Sequence, residues 1–273
     1  MNKFLSCICA AVLAGLMFCL VPIMAQAAEV TGSCGAEGDN ITYVYDTDTK
    51  VLTLTGAGST ADYTSYGTGR SPFFTNTTIK NNVTTIVVGE GITRIGTYTF
   101  RGLTKVTSVS LPSTLTECAD FSFNGMTALA ECDFPEGLVS IGEQAFASCR
   151  AMTSLTLPST LETIGKSAFN YWQLPTTLTI PGSVKRIPSS AFRSWMNLET
   201  LVIENGVESM HEEAFTATKL TEVTIPASVN NMNERAFYGN AQLAAFHADE
   251  SSEYYCDVDG ILYTKDRSKL LKC

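Results

Sequence analysis

Seven phenylalanines, Phe100, Phe123, Phe146, Phe169, Phe192, Phe215 and Phe237, follow one another at spacings of 23, 23, 23, 23, 23 and 22 residues. A side chain returning at a fixed interval of this length marks a chain built from repeated supersecondary units. Each Phe is preceded by a small residue: Thr99, Ser122, Ala145, Ala168, Ala191, Ala214 and Ala236. One such unit cannot bury an apolar side alone, so stability requires neighbours stacked into a continuous core, which is a solenoid.

Other columns keep the same phase. Apolar triplets at i, i+3, i+5 run Val106/Val109/Leu111, Leu129/Cys132/Phe134, Met152/Leu155/Leu157, Leu198/Leu201/Ile203 and Leu220/Val223/Ile225. The repeat between them keeps Leu178 and Ile180 but has Pro175 in the first slot. The last two positions of each triplet alternate, so they point inward from a short strand. Proline follows at Pro112, Pro135, Pro158, Pro181 and Pro226 and ends the ladder. Small residues then let the chain reverse: Thr114, Gly137, Thr160, Ser183, Gly206 and Ser228. Stacked about 4.8 Å apart, roughly eight such strands predict a parallel sheet on the order of 40 Å wide.

Before the repeats lies a targeting signature. Lys3 is followed by an uncharged run from Phe4 to Met24, and Ala25-Gln26-Ala27 is a small-x-small cleavage pattern. Residues 1–27 therefore read as a signal peptide cut between Ala27 and Ala28, with an uncleaved anchor as the structural alternative. Residues 28–82 read as an N-terminal capping region and 83–242 as the seven-repeat solenoid. Residues 243–273 read as a terminal repeat with a C-terminal cap, where Cys273 is either a native end or a truncation.

Acidic residues outnumber basic ones 27 to 18, for a net charge of −9. Such a chain gains nothing from counterion release on a phosphate backbone, which argues against nucleic acid. It argues equally against an anionic membrane surface, leaving no membrane role beyond the signal peptide. Of nine cysteines, Cys7, Cys9 and Cys19 fall in the leader, leaving Cys34, Cys118, Cys132, Cys149, Cys256 and Cys273. An even count in an exported chain invites a disulfide reading. The phase opposes it: Cys118 takes an Ile slot, Cys132 a strand Leu slot, and Cys149 the slot of Leu103, Met126, Trp172 and Trp195. No two share a column in adjacent coils, so they read as small buried hydrophobes.

The stretch from Met152-Thr153-Ser154-Leu155 through Ala168-Phe169 resembles the BspA-like leucine-rich-repeat family of bacterial surface proteins. Residues 33–56, with Ser33-Cys34-Gly35 and the hairpin Ile41–Tyr45 / Val51–Thr55, are similar to that family's N-terminal cap. The stretch from Phe246 to Leu271, with Asp259-Gly260-Ile261-Leu262-Tyr263, is similar to its closing hairpin. The resemblance implies an α/β-type leucine-rich-repeat solenoid, mostly β, with short parallel strands joined by turns and short helical segments. It also implies a cell-surface or secreted binding protein, with adhesins for host extracellular proteins among its relatives. Two departures stand out: Thr160 and Ser183 occupy slots where longer repeats carry an asparagine ladder, and the chain stops where the family runs on.

Catalytic constellations are missing from the sequence, which reads as a non-enzyme without cofactor or metal. His211 and His247 lack metal-ligand spacing, and Gly165-Lys166-Ser167 lacks the earlier glycine of a phosphate loop. Asp46/Asp48 and Asp257/Asp259 read as hairpin turns with too few oxygens for calcium.

The outward residues of stacked strands form one broad face. Its candidate binding residues are Ser108, Ser110, Glu131, Asp133, Ser154, Thr156, Thr177, Thr179, Thr200 and Val202. This short, hydroxylated surface predicts a recognition module for a protein, such as a host extracellular or mucosal protein, with a glycan as the second chemistry. A structural spacer or targeting repeat of a larger exported protein is the rival reading. Tyr63, Tyr66, Phe73 and Phe74 read as a cover for the open core end or as a sticky loop. Trp172 and Trp195 read as a core edge.

Overall fold

The computed structural model describes residues 28–272; the leader and Cys273 lie outside them. The chain forms a β-solenoid of about seven turns, closed at both ends by antiparallel strands. At the N-terminal end, β1 (Glu29–Gly35), β2 (Gly38–Asp46) and β3 (Val51–Gly56) form an antiparallel meander. The hairpin expected as a cap is more than a lid. β3 pairs in parallel with the first repeat strand, Thr85–Val88, which continues to Ser108–Ser110 and Glu131–Cys132 in one six-stranded sheet.

Each coil has three sides. After the first strand the proline turn closes locally, as when Leu115 N–H donates to Pro112 O (3.1 Å) and Val184 N–H to Pro181 O (3.0 Å). A second short strand follows, such as Glu117–Cys118, Ser140–Ile141 and Thr163–Ile164, stacked in parallel. The third side carries the Phe. There the Phe N–H donates to the carbonyl of the small residue one coil on: Phe123 to Ala145 O (2.8 Å), Phe146 to Ala168 O (2.9 Å), Phe169 to Ala191 O (3.0 Å). The small residue thus leaves room for the ring and holds the next coil in register.

The rings pile into one column. Phe73, Phe100, Phe123, Phe146, Phe169, Phe192, Phe215 and Phe237 succeed one another at centroid separations between 4.7 and 6.0 Å. Phe73 lies outside the repeat phase, yet it supplies the first ring and meets Tyr43 of the cap edge-on at 4.9 Å. It therefore covers the core end, whereas Tyr66 is 77% exposed. Beside the column, Trp172 and Trp195 are fully buried and stack at 5.6 Å with rings 1° from parallel. Their indole N–H groups donate to Phe146 O and Phe169 O, each at 2.7 Å. Cys149, in the same slot one coil earlier, aims its thiol at Phe123 O (3.5 Å).

The repeats hold no helix among the described residues; α1 (Pro72–Thr75) and α2 (Thr77–Asn82) sit just before them. Turns join the strands within the repeats, and the short helical segments lie before them. Two columns of left-handed residues explain this. Tyr98, Phe121, Gln144, Ser167, Ser190 and Glu213 have φ between 51° and 59°. Four residues later Gly102, Gly125, Ser148, Tyr171, Ser194 and Ala217 have φ between 59° and 75°. A left-handed residue cannot continue a right-handed helix, so each coil turns instead.

Hydroxyls replace an asparagine ladder in the turn column. Thr114 Oγ1 donates to Ile92 O (2.9 Å), Thr160 Oγ1 to Leu138 O (3.0 Å) and Ser228 Oγ to Val207 O (2.7 Å).

The strand ladder lapses between Thr200–Ile203 and Glu222–Ile225 on that side alone, whereas one other joint is broken on two sides. Residues 153–157 form no strand, and no backbone hydrogen bond ties them to either neighbouring coil among the described residues. The second-strand ladder is also interrupted, between Thr163–Ile164 and Arg186–Ile187. The chemistry of the next coil accounts for this second gap. Elsewhere the residue after the second strand donates across coils, as Gly142 N–H does to Cys118 O and Gly165 N–H to Ile141 O, both at 2.7 Å. In that slot Pro188 has no N–H to give. Pro175 likewise lacks the turn hydrogen bond that Leu198 N–H makes to Trp195 O (2.9 Å). Ser183 Oγ, at the same joint, is buried without a partner, unlike Thr160 and Ser228.

Candidate binding face

The inward members of each strand fix the outward ones. Val109, Leu178, Ile180, Leu201 and Ile203 are buried, which turns their neighbours to solvent because successive strand residues point to opposite faces. Ser110, Glu131, Asp133, Ser154, Thr156, Thr177, Thr179, Thr200 and Val202 are exposed, and Ser108 is half-buried.

Parallel pairing sets Ser108 beside Glu131, Thr177 beside Thr200, and Thr179 beside Val202. Asp133 lies just past the end of its strand, and Ser154 and Thr156 sit on the unpaired segment. The face is therefore three laddered patches, the first two separated by an unladdered coil. The third patch is Glu222–Ile225 paired with Ala245–Ala248, a ladder separate from that of Thr200–Ile203, and there His247 Nε2 lies 3.3 Å from Glu222 Oε2.

The cap adds residues that the repeat phase did not reveal. Thr53 pairs with Val87 and with Val44, and Thr42 pairs with Thr55, so these residues extend the outward columns onto β2 and β3. Thr42 and Thr55 hydroxyls meet at 3.3 Å, and Val44 is 37% exposed. Alternation between Ile41, Tyr43 and Tyr45 inside and Thr42 and Val44 outside was the available signal.

Chemically the face offers short hydroxyls, one carboxylate-imidazole pair and few apolar atoms. Several hydroxyls beside it are committed to the fold: Thr107 and Thr116 donate across coils, and Ser113 and Ser159 donate to Glu90 and Glu136. Those of Ser110, Thr156, Thr177, Thr179 and Thr200 make no such bond among the described residues, and each keeps a donor and two lone pairs for a partner.

Among the described residues, no three His, Cys, Asp or Glu side chains converge on a possible metal position. No helix among them is long and apolar enough to cross a membrane. The described cysteines are free thiols; Cys34, Cys118, Cys132 and Cys149 are buried, and Cys256 is half-buried. Burial pushes Cys34 and Cys149 up to about 12 and raises Cys118 and Cys132 as well. A thiol is unreactive until it ionises. Peptide mapping after iodoacetamide treatment at pH 8 is therefore expected to find Cys256 alkylated before Cys34, Cys118, Cys132 and Cys149. The four buried cysteines should label only in denaturant, and their rapid labelling in the native state would contradict this core.

A model of the BspA type leucine rich repeat region matches the chain in six copies, over residues 73–194 and 127–244. Among solved structures, a leucine rich cell surface protein from Faecalibacterium prausnitzii A2-165 is similar at 22% identity, with a TM-score of 0.54. That match covers 87% of this chain and 59% of the other. A leucine-rich repeat protein from Bacteroides ovatus ATCC 8483 is similar at 20% identity, with a TM-score of 0.50, over 76% of this chain and 63% of that one. The chain thus spans less than two thirds of either structure, and at these identities the likeness shows the fold. No curated protein sequence matches significantly. The 23-residue period, the three-sided coils and the matched repeats agree, and the chain belongs to the BspA type leucine-rich-repeat family.

Proposed function

We propose that this chain is an exported recognition module, secreted or surface-displayed, that binds a protein partner through its strand face and uses no cofactor. The observation that carries the reading is the exposed face of uncommitted hydroxyls, set at strand spacing, whereas those of Thr107, Thr116, Ser113 and Ser159 beside it are engaged across coils. An extended segment or shallow epitope can lie on such a surface without displacing a single interaction of the fold. The signature of residues 1–27 supports export, and the similar Faecalibacterium prausnitzii protein is described as a cell surface protein.

The test is binding of purified residues 28–273 to an array of extracellular-matrix proteins, mucins and bacterial wall glycans. A Thr156→Arg/Thr179→Arg variant runs beside it. Both positions are exposed, so the variant is expected to melt with the parent and to lose binding at least about tenfold, roughly 1.4 kcal/mol. Full binding by the variant would remove the strand face as the site. Absence of any micromolar partner would favour the spacer reading, to which the greater length of the similar structures also lends weight.

A further inference from the structure

A second surface stands apart from the strand face, where the segment before the repeats folds against the turn side of the first coil. Arg70 lies over the Phe74 ring with its guanidinium carbon 5.0 Å from the centroid, and Lys80 Nζ lies over the same ring at 3.6 Å. Arg101 lies over Tyr98 at 5.4 Å, and Tyr98 stacks on Phe121 at 4.8 Å with rings 10° from parallel. Arg70 and Arg101 both line one crevice, completed by Thr64, Ser65, Ser71, Phe74 and Tyr98, with a free volume of about 20 Å³.

These cations are held by rings and not by carboxylates. On the same solenoid Arg94, Arg193 and Arg235 each lie within 3.2 Å of a Glu or Asp oxygen. Among the described residues no carboxylate lies within 4.0 Å of Arg70, Lys80 or Arg101. Two uncompensated guanidiniums lining one crevice of an acidic chain repel each other until an anion joins them. Arg70 spends its Nε on Ser65 O (3.1 Å), which fixes the side chain and leaves its two terminal nitrogens to donate. A guanidinium presents a planar fork suited to a carboxylate.

We infer that Arg70 and Arg101 form a binding site for a single carboxylate carried by an acidic sugar. The crevice is about the size of one water site, so it seats one anionic group and not a polyanion. The net charge of −9 repels a densely charged polymer more strongly than an isolated carboxylate. Around the crevice, Phe74, the Tyr98–Phe121 stack and the Thr64 and Ser65 side chains supply the flat apolar edges and polar atoms that a sugar ring uses. This site is independent of the strand-face reading.

The experiment titrates the folded protein with N-acetylneuraminic acid, glucuronic acid, glucose and a tetra-aspartate peptide, read by chemical-shift perturbation. Saturable binding of an acidic sugar in the millimolar range, with glucose inert and acetate competing, is the expected result. Arg70→Gln/Arg101→Gln should weaken it at least tenfold. Arg101→Gln alone should weaken it about threefold without disturbing the Arg70 loop. Acidic sugars that fail to saturate by about 10 mM, or that bind both variants as tightly as the parent, would overturn the site. Tetra-aspartate binding as well as the sugars would overturn the sugar in favour of an acidic peptide.

Discussion

Phe169→Ala is expected to destabilise the solenoid by about 3–5 kcal/mol, the range for deleting a buried aromatic ring. Phe169 is fully buried and touches four rings: Phe146 at 6.0 Å, Phe192 at 5.5 Å, Trp172 edge-on at 5.4 Å and Phe134 at 6.2 Å. Its coil is also the one with the weakest bonding to the next, since two of the three sides lack cross-coil backbone hydrogen bonds there. The Phe side carries the coupling across that joint, and stability in a solenoid passes through such nearest-neighbour interfaces. Urea denaturation should therefore show a larger loss for Phe169→Ala than for Phe237→Ala, whose ring meets two aromatic rings, Phe215 and Phe246, among the described residues. The Phe169 variant should also unfold over a broader transition, because its two halves become less coupled. Equal, two-state losses at both positions would contradict the nearest-neighbour account.

Gly206→Ala is expected to cost roughly 3 kcal/mol, through two separable effects. Gly206 has φ +120°, where an L side chain is strained by about 1–3 kcal/mol. An added Cβ would also stand 2.4 Å from Gly182 O and 3.0 Å from Gly182 C, and backbone cannot swing aside. The two coils approach this closely because each turn carries a glycine, in adjacent slots: a Cβ on Gly182 would meet Asn205 O at 2.2 Å. Separating them would disturb the hydrogen bond from Gly206 N–H to Ser228 Oγ (2.8 Å) and that from Lys185 Nζ to Gly206 O (3.1 Å). Gly239→Ala is the control. It shares a positive φ, +74°, but its Cβ would have no heavy atom nearer than Thr216 Cγ2 at 3.7 Å. Thermal melts should rank Gly206→Ala well below Gly239→Ala. Matching losses would mean that φ alone matters and that the coils can part freely.

What could be read from the sequence was whatever repeats with fixed phase. The Phe column, the inward triplets, the proline turns and the burial of Cys118, Cys132 and Cys149 each follow from a residue type recurring in one slot. The outward residues followed as well, because strand alternation leaves them no other direction. What escaped lies where phase is no guide. Phe73 joins the ring column from outside the period. β3 joins the parallel sheet through pairing with Thr85–Val88, which no local pattern announces. The left-handed positions carry Tyr98, Phe121 and Gln144 where glycine would have advertised them. Pro188 was visible as a residue, but its effect depends on the acceptor that it faces one coil away. The Arg70–Arg101 crevice joins segments far apart in sequence, brought together only when the cap folds back.

The joint beside Phe169 also has a mechanical consequence. Across it the Phe side keeps hydrogen bonds from Ser167 N–H to Ser189 O (3.0 Å), Phe169 N–H to Ala191 O (3.0 Å) and Tyr171 N–H to Arg193 O (2.9 Å). The strand face and second side keep none among the described residues. Flexing that spreads the strand face stretches no backbone hydrogen bond, whereas flexing the opposite way must break three. The rod is therefore compliant in one sense and stiff in the other, like a wrist.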